Sequence, residues 1–362
     1  MDINWLEGQK RYEDDPVGGS EEGPSVVVAV IDSGVDYNHP ELKDAMWKNP
    51  GEIPDNGIDD DGNGFIDDVY GANFVRVPNT IFDPFGNLGN PEGDPLDKDL
   101  RSPMSIFGHG TLCAGIIAAN ANNRKGIAGV AGNTKGKVRI MALRAFGPFG
   151  SELSWLLKAL DYAIAKGAHI SNNSYGFFEM PGDQVTPPVQ VNEIYESILR
   201  KHPEHLFITA AGNRNAKVTR EDEAPGCIDV SNHINVAAST YEDALRWEKS
   251  NFGKPYVDVF APGFAILSTF PLNNIIDASG TSYAAPHVAG LAALLMSMRE
   301  EVSPKAAKKL IEKNVQLKTK LFDLVTSGGL IDVNATINAL ISAKPSGCKP
   351  GKILSNNFSS IE

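Results

Sequence analysis

Gly280-Thr281-Ser282-Tyr283-Ala284-Ala285-Pro286-His287-Val288-Ala289-Gly290 is the stretch on which the reading of this chain turns. Gly-Thr lets the backbone bend sharply before Ser282, and the apolar run from Val288 to Met298 has helical character. One hydroxyl therefore stands at the mouth of a helix, beside N–H groups that favour a developing negative charge. The same residues also describe a capped core helix, because Thr and Ser are ordinary N-caps. The choice depends on whether the rest of the chain supplies partners for the serine.

Two segments do. Val26-Val27-Val28-Ala29-Val30-Ile31 is a short β-branched run that ends in Asp32-Ser33-Gly34. It reads as a buried parallel strand delivering an aspartate at its carboxyl end, where α/β proteins place their sites. Phe107-Gly108-His109-Gly110-Thr111 then leads into the small-residue helix that begins Leu112-Cys113-Ala114-Gly115. Taken singly, His109 is a cap or a solvated side chain and Asp32 a turn residue. Together they are what a weak serine nucleophile requires: a base, and a carboxylate that fixes the tautomer of the base.

The order Asp32, His109, Ser282 is the subtilisin order of these three groups. Five spaced motifs now coincide. They are Val30-Ile31-Asp32-Ser33-Gly34-Val35, His109-Gly110-Thr111 with Ala114-Gly115, Ser174-Tyr175-Gly176, Ala210-Ala211-Gly212-Asn213, and Gly280-Thr281-Ser282 with its following helix. On them the chain resembles the subtilisin-like serine proteases, the subtilases, from about Ser25 to about Ala343. The resemblance implies an α/β fold of three layers, with a mainly parallel central sheet and helices on both faces. It implies a serine endopeptidase with Ser282 as nucleophile, His109 as general base, Asp32 orienting it, and Asn213 joining the Ser282 N–H as oxyanion donor. An extended peptide would pair with the edges Ser174-Tyr175-Gly176 and Ala210-Ala211-Gly212. Small residues on the second edge leave room for a large side chain, and no acidic pocket floor is evident. His39 and His287 are expected to be structural, and Cys113 to be a small buried thiol.

The densest charge cluster lies between Asp32 and His109, with six carboxylates from Asp55 to Asp68. Asp59, Asp61 and Asn63 alternate and Gly64 follows, as in the first half of an EF-hand loop. Tyr70 holds the position of that motif's closing Glu, so Asp68 is the alternative closing group. Asp59, Asp61, Asn63, Phe65 and Asp68 are thus the candidate metal positions. Oxygen donors without interleaved His or Cys favour Ca²⁺ in a structural role, and a solvated acidic surface loop is the competing reading. Similar acidic insertions in subtilases bind calcium. No catalytic cofactor is expected.

The formal charge of −12 disfavours nucleic acid as a partner. No apolar run reaches 18 residues, so no membrane span is read. At 362 residues and 42% hydrophobic content, one large catalytic domain at 25–343 suffices, with a lead-in at 1–24, the acidic insertion at about 51–71 and a tail at 344–362. Three cysteines cannot all pair within one chain. The first residues show no basic n-region or apolar h-region. The resemblance nevertheless implies a secreted or secretory-pathway monomer acting on polypeptides, with an inhibitory propeptide not present in this sequence. Strands are expected at 25–31, 138–143, 170–174, 206–210, 234–237 and 257–260. Helices are expected at 110–120, 152–166, 192–202, 282–300 and 304–313, and an extended surface loop at 80–104. Two further readings stay open: a silent binding module on the same fold, and a calcium-dependent structural domain.

Overall fold

Seven consecutive buried residues, Val26–Asp32, form the central strand β1. Val28 and Val30 face one layer of core and Val27, Ala29 and Ile31 face the other, the period-two division of a strand covered on both sides. The structure is a computed structural model that describes residues 3–75, 93–96, 107–148, 150–177, 186–242 and 246–343. The remaining strands are β2 (Gly71–Asn73), β3 (Val138–Arg144), β4 (Ile170–Asn173), β5 (Leu206–Ala210), β6 (His233–Ser239), β7 (Val259–Pro262), β8 (Ile266–Phe270), β9 (Asn274–Ala278), β10 (Gln316–Leu317) and β11 (Gly329–Leu330). The helices are α1 (Trp5–Asp14), α2 (His109–Ala118), α3 (Leu153–Ala165), α4 (Pro188–Lys201), α5 (Thr281–Met298), α6 (Pro304–Lys313) and α7 (Val333–Ser342).

The main sheet runs β10-β11-β7-β6-β5-β4-β1-β3-β2, parallel throughout except at β10–β11. α2, α5, α6 and α7 contribute to the core on one face, and α3 and α4 to the core on the other. The chain passes from β3 across β1 to β4, so the strand order changes direction at β1. Asp32 at the end of β1 and Ser174 just beyond β4 therefore flank the crevice where open α/β sheets gather ligands. The mainly parallel sheet with helices on both faces agrees with the expected architecture.

All six expected strands and five expected helices are present, with ends displaced by a few residues. Five elements were not foreseen among the longer ones: α1, α7, β2 and the antiparallel hairpin β8–β9. The lead-in folds as α1, whose Gly8 passes so near α7 that a Cβ there would stand 2.6 Å from Val333. Asp15, just past α1, takes two bonds from Arg299, at 2.8 and 2.7 Å. Apart from 93–96, the loop expected at 80–104 lies outside the described residues, as does the tail 344–362. Among the described residues no helix is long and apolar enough to cross a membrane.

Candidate active site

Asp32 leaves β1 at its carboxyl end, and His109 is the first residue of α2. The start of α2 is drawn against the end of β1 because position 110 is glycine. A Cβ there would stand 2.2 Å from the Gly34 carbonyl and 2.9 Å from the Asp32 Cβ. Two bonds lock the approach: Gly110 N–H donates to Ser33 Oγ at 3.1 Å and Asp36 N–H to Thr111 Oγ1 at 2.9 Å. His109 Nδ1 consequently lies 2.8 and 2.9 Å from the two Asp32 oxygens. An ionised carboxylate only accepts, so Nδ1 carries the proton and the neutral ring presents its Nε2 lone pair as a base.

Ser282 is the second residue of α5. Its N–H is one of the first-turn donors that have no acceptor within the helix. Its hydroxyl donates to the Ser174 carbonyl at 3.1 Å. Four residues on, Pro286 has no N–H to return to the Ser282 carbonyl. That carbonyl instead accepts from Ser174 Oγ at 2.8 Å and Cys113 Sγ at 3.5 Å. The thiol thus lies beneath the site, fully buried, and burial pushes its pKa well up, with the Asp32 charge adding to the effect. A protonated, enclosed thiol serves packing and a weak donor bond rather than nucleophilic attack.

Asn213 follows β5 by three residues. Its Oδ1 accepts from the Thr281 N–H at 2.9 Å and the Thr281 hydroxyl at 3.0 Å, and that hydroxyl accepts from the Gly212 N–H at 3.0 Å. With the oxygen committed, the amide nitrogen faces away from Thr281, 3.7 Å from where a Gly280 Cβ would stand. Asn251, which the sequence analysis did not single out, holds this turn. Its Oδ1 accepts from the N–H groups of Arg214 and Ala216, and its Nδ2 donates to the Ala211 carbonyl at 2.9 Å. His39 and His287, the two further histidines singled out in the sequence, are structural, as expected. His39 bridges the Glu41 N–H and the Asn274 carbonyl. His287 bonds the Tyr283 carbonyl at 2.8 Å, and desolvation lowers its pKa to about 4.

The two expected peptide-binding edges, Ser174-Tyr175-Gly176 and Ala210-Ala211-Gly212, leave the adjacent parallel strands β4 and β5. The Tyr175 ring turns inward, and its hydroxyl bonds Asn173 Oδ1 at 2.9 Å and Tyr195 at 3.2 Å. What Tyr175 can offer a peptide is its backbone, not an apolar side-chain wall. Phe177 is drawn toward Ala224 by a two-bond bridge.

In the acidic insertion, Asp59 accepts from the N–H groups of Asn63 and Gly64 at 3.0 and 2.8 Å. Asp61 takes Asn49 at 2.9 Å and an ion pair from Lys166. Their carboxylates converge with a group the sequence pattern did not select, Glu52, all three offering oxygens within 4.8 Å of one another. Glu52 Oε1 accepts two backbone bonds, whereas its buried Oε2 has no partner among the described residues. A buried carboxylate with one orphaned oxygen, beside two more carboxylates, fits a hard divalent cation. Asp68 is otherwise engaged, with bonds from Asn49, Asn63 and Tyr162. Asn63 spends its side chain on Asp68 and the Phe65 N–H. The Phe65 ring packs edge-on to Phe74 and Tyr162 and anchors the loop.

The sequence model of the subtilase family matches residues 23–332. Subtilisin-like protease 1 of Plasmodium falciparum (isolate 3D7) is 31% identical over 340 residues, covering 88% of this chain and 44% of that protein. The thermophilic serine proteinase of Bacillus sp. (strain AK1) is 35% identical over 271 residues, 75% of this chain and 52% of that protein. Thermitase of Thermoactinomyces vulgaris is 31% identical over 286 residues, 78% of each. The chain thus spans about half the length of the first two relatives. In fold, a solved structure described as proteases from Pseudoalteromonas arctica aligns with a TM-score of 0.67, 22% identity, and coverage of 92% and 94%.

Proposed function

The chain belongs to the subtilase family, and on that premise we propose that it is a serine endopeptidase hydrolysing polypeptides through Asp32, His109 and Ser282. The observation that carries the reading is the His109 Nδ1 bond to both Asp32 oxygens, which sets the tautomer needed of a general base. Ser282 Oγ leaves the Ser174 carbonyl by rotation about χ1, passes its proton to His109 Nε2 and attacks the scissile carbonyl. His109 then returns the proton to the leaving amine, and water repeats the sequence on the acyl-enzyme. The negative oxygen formed in each half would be met by the Asn213 amide and the Ser282 N–H. The pre-aimed Asn213 and the protonated Nδ1 favour this over a silent binding fold. Ser282→Ala should lower peptide hydrolysis by several orders of magnitude while the circular dichroism spectrum stays that of the parent. Near-parental turnover by the variant would refute the assignment.

Calcium has a structural part in this reading. Glu52, Asp59 and Asp61 would hold it, and it would neutralise carboxylates that otherwise repel one another at the root of the insertion. The notion is supported by the orphaned Glu52 oxygen. No chemical step depends on the ion.

A further inference from the structure

Glu223 ends an Arg220-Glu221-Asp222-Glu223 run that the sequence did not mark as an acidic pocket floor, and it is only 2% exposed. Its carboxylate lies in the gap between the two peptide-binding edges. A Cβ built on Gly176 would stand 2.8 Å from Oε1, and one built on Gly212 would stand 2.9 Å from Oε2. Both positions are glycine, which leaves the gap open to the carboxylate; Gly212 also has φ +97°, a conformation that disfavours any side chain. Behind the carboxylate the chain is closed by the bridge between Phe177 and Ala224, with N–H to carbonyl distances of 2.7 and 3.1 Å. Gly212 directly precedes the oxyanion donor Asn213. The resemblance to the subtilases implies that a side chain inserted between these edges is that of the residue whose carbonyl Ser282 attacks.

The two oxygens are not equivalent. Oε2 accepts from Arg214 Nη2 at 2.8 Å and Asn251 Nδ2 at 2.9 Å. Oε1 accepts from none of the described residues and lies on the Gly176 side. Arg214, held also by the Asp222 carbonyl at 2.7 Å, already balances the charge of Glu223. A second cation entering the gap gains less than it would at a lone carboxylate, and it must be desolvated. A neutral amide donor matches the single open acceptor, whereas an anionic side chain sets acceptor against acceptor.

We propose that Glu223 is the floor of the pocket for the residue on the acyl side of the scissile bond, and that it selects uncharged hydrogen-bond donors there, glutamine and asparagine over their acids. The inference rests on the reading of the site as a peptidase. Burial pushes the Glu223 carboxyl up to about 7 against the pull of Arg214 and Asn251, so the test is run at about pH 8.5, where it is ionised.

Peptides identical except for Gln, Glu or Lys at that position are compared by kcat/KM. The parent enzyme should prefer Gln to Glu by at least about tenfold. In Glu223→Gln the new amide oxygen must receive Arg214 and Asn251, so its NH₂ turns to the Gly176 side and the acceptor becomes a donor. The Gln:Glu ratio should then fall by about tenfold or more, toward inversion. Because both substrates are read on one preparation, the ratio is insensitive to loss of folded enzyme. An equal ratio in the two proteins would overturn the proposal, as would a parental preference for Lys over Gln. A parent that cleaves none of the peptides, nor casein, would overturn the peptidase reading and this inference with it.

Discussion

Asn213 has its amide oxygen bound twice by Thr281, and that commitment determines the effect of removing it. On the proposed reading, the nitrogen is left for an oxygen that carries most of its charge only in the transition state. Asn213→Ala should lower kcat by about 10²–10³, a magnitude carried over from a subtilisin, with little change in KM. Steady-state kinetics on one peptide separate the outcomes, and a normal kcat with a raised KM would make Asn213 a substrate-binding residue instead. The three residues proposed as the triad were singled out in the sequence because each sits in a short local signal: a strand end, a glycine-flanked turn, a Gly-Thr-Ser helix mouth. Glu52 and Glu223 were not, because each looks solvated in its own segment. Only folding shows Glu52 beside Asp59 and Asp61, and Glu223 wedged against Gly176 and Gly212.

At the scale of elements, the sheet was legible from runs such as Val26–Ile31, and α3 was expected at 152–166 and found at Leu153–Ala165. α1 was not. Its residues, Trp5–Asp14, are mostly polar, and no side chain caps the helix at Asn4. Its position is set by residues about 300 positions away: Val333 against Gly8, and Arg299 on Asp15. His205 ties β5 to the entry of β4 in the same non-local manner, bonding the Ala168 carbonyl at 2.8 Å and Ser171 Oγ at 2.9 Å. Desolvation lowers its pKa from 6.5 to about 4. Between those values the unfolded chain binds a proton that the native chain refuses, so stability is full above about pH 6.5 and is lost as pH falls toward 4. The linkage amounts to about 2 kcal/mol between pH 7 and pH 4.5. Urea unfolding at both pH values should show His205→Gln losing about that much less than the parent on acidification. Equal losses would mean that this histidine is not held neutral by the fold.

The molecule as a whole carries a formal charge of −12, and the acidic insertion concentrates part of it against Lys166. The sequence pattern pointed to a cation there and selected Asp59, Asp61, Asn63, Phe65 and Asp68; the structure engages Asn63 within the loop, and Asp68 and Phe65 against Tyr162 and Phe74. Chelation should lower the melting temperature, with a linkage of about 2.7 kcal/mol at a hundredfold excess of calcium over its dissociation constant. Glu52→Gln should lower it likewise and remove most of the chelator effect. Differential scanning calorimetry decides the matter, and a melting temperature indifferent to chelator would argue for Lys166 as the sole counter-charge. The central claim concerns a base and a nucleophile assembled by distant parts of the chain. It is tested most directly by a fluorophosphonate, which reacts with a serine only when such a base activates it. Intact-mass and peptide analysis should find one label per molecule, on Ser282, and none on Ser282→Ala or His109→Ala. An unlabelled parent protein, or a label that persists in His109→Ala, would contradict it.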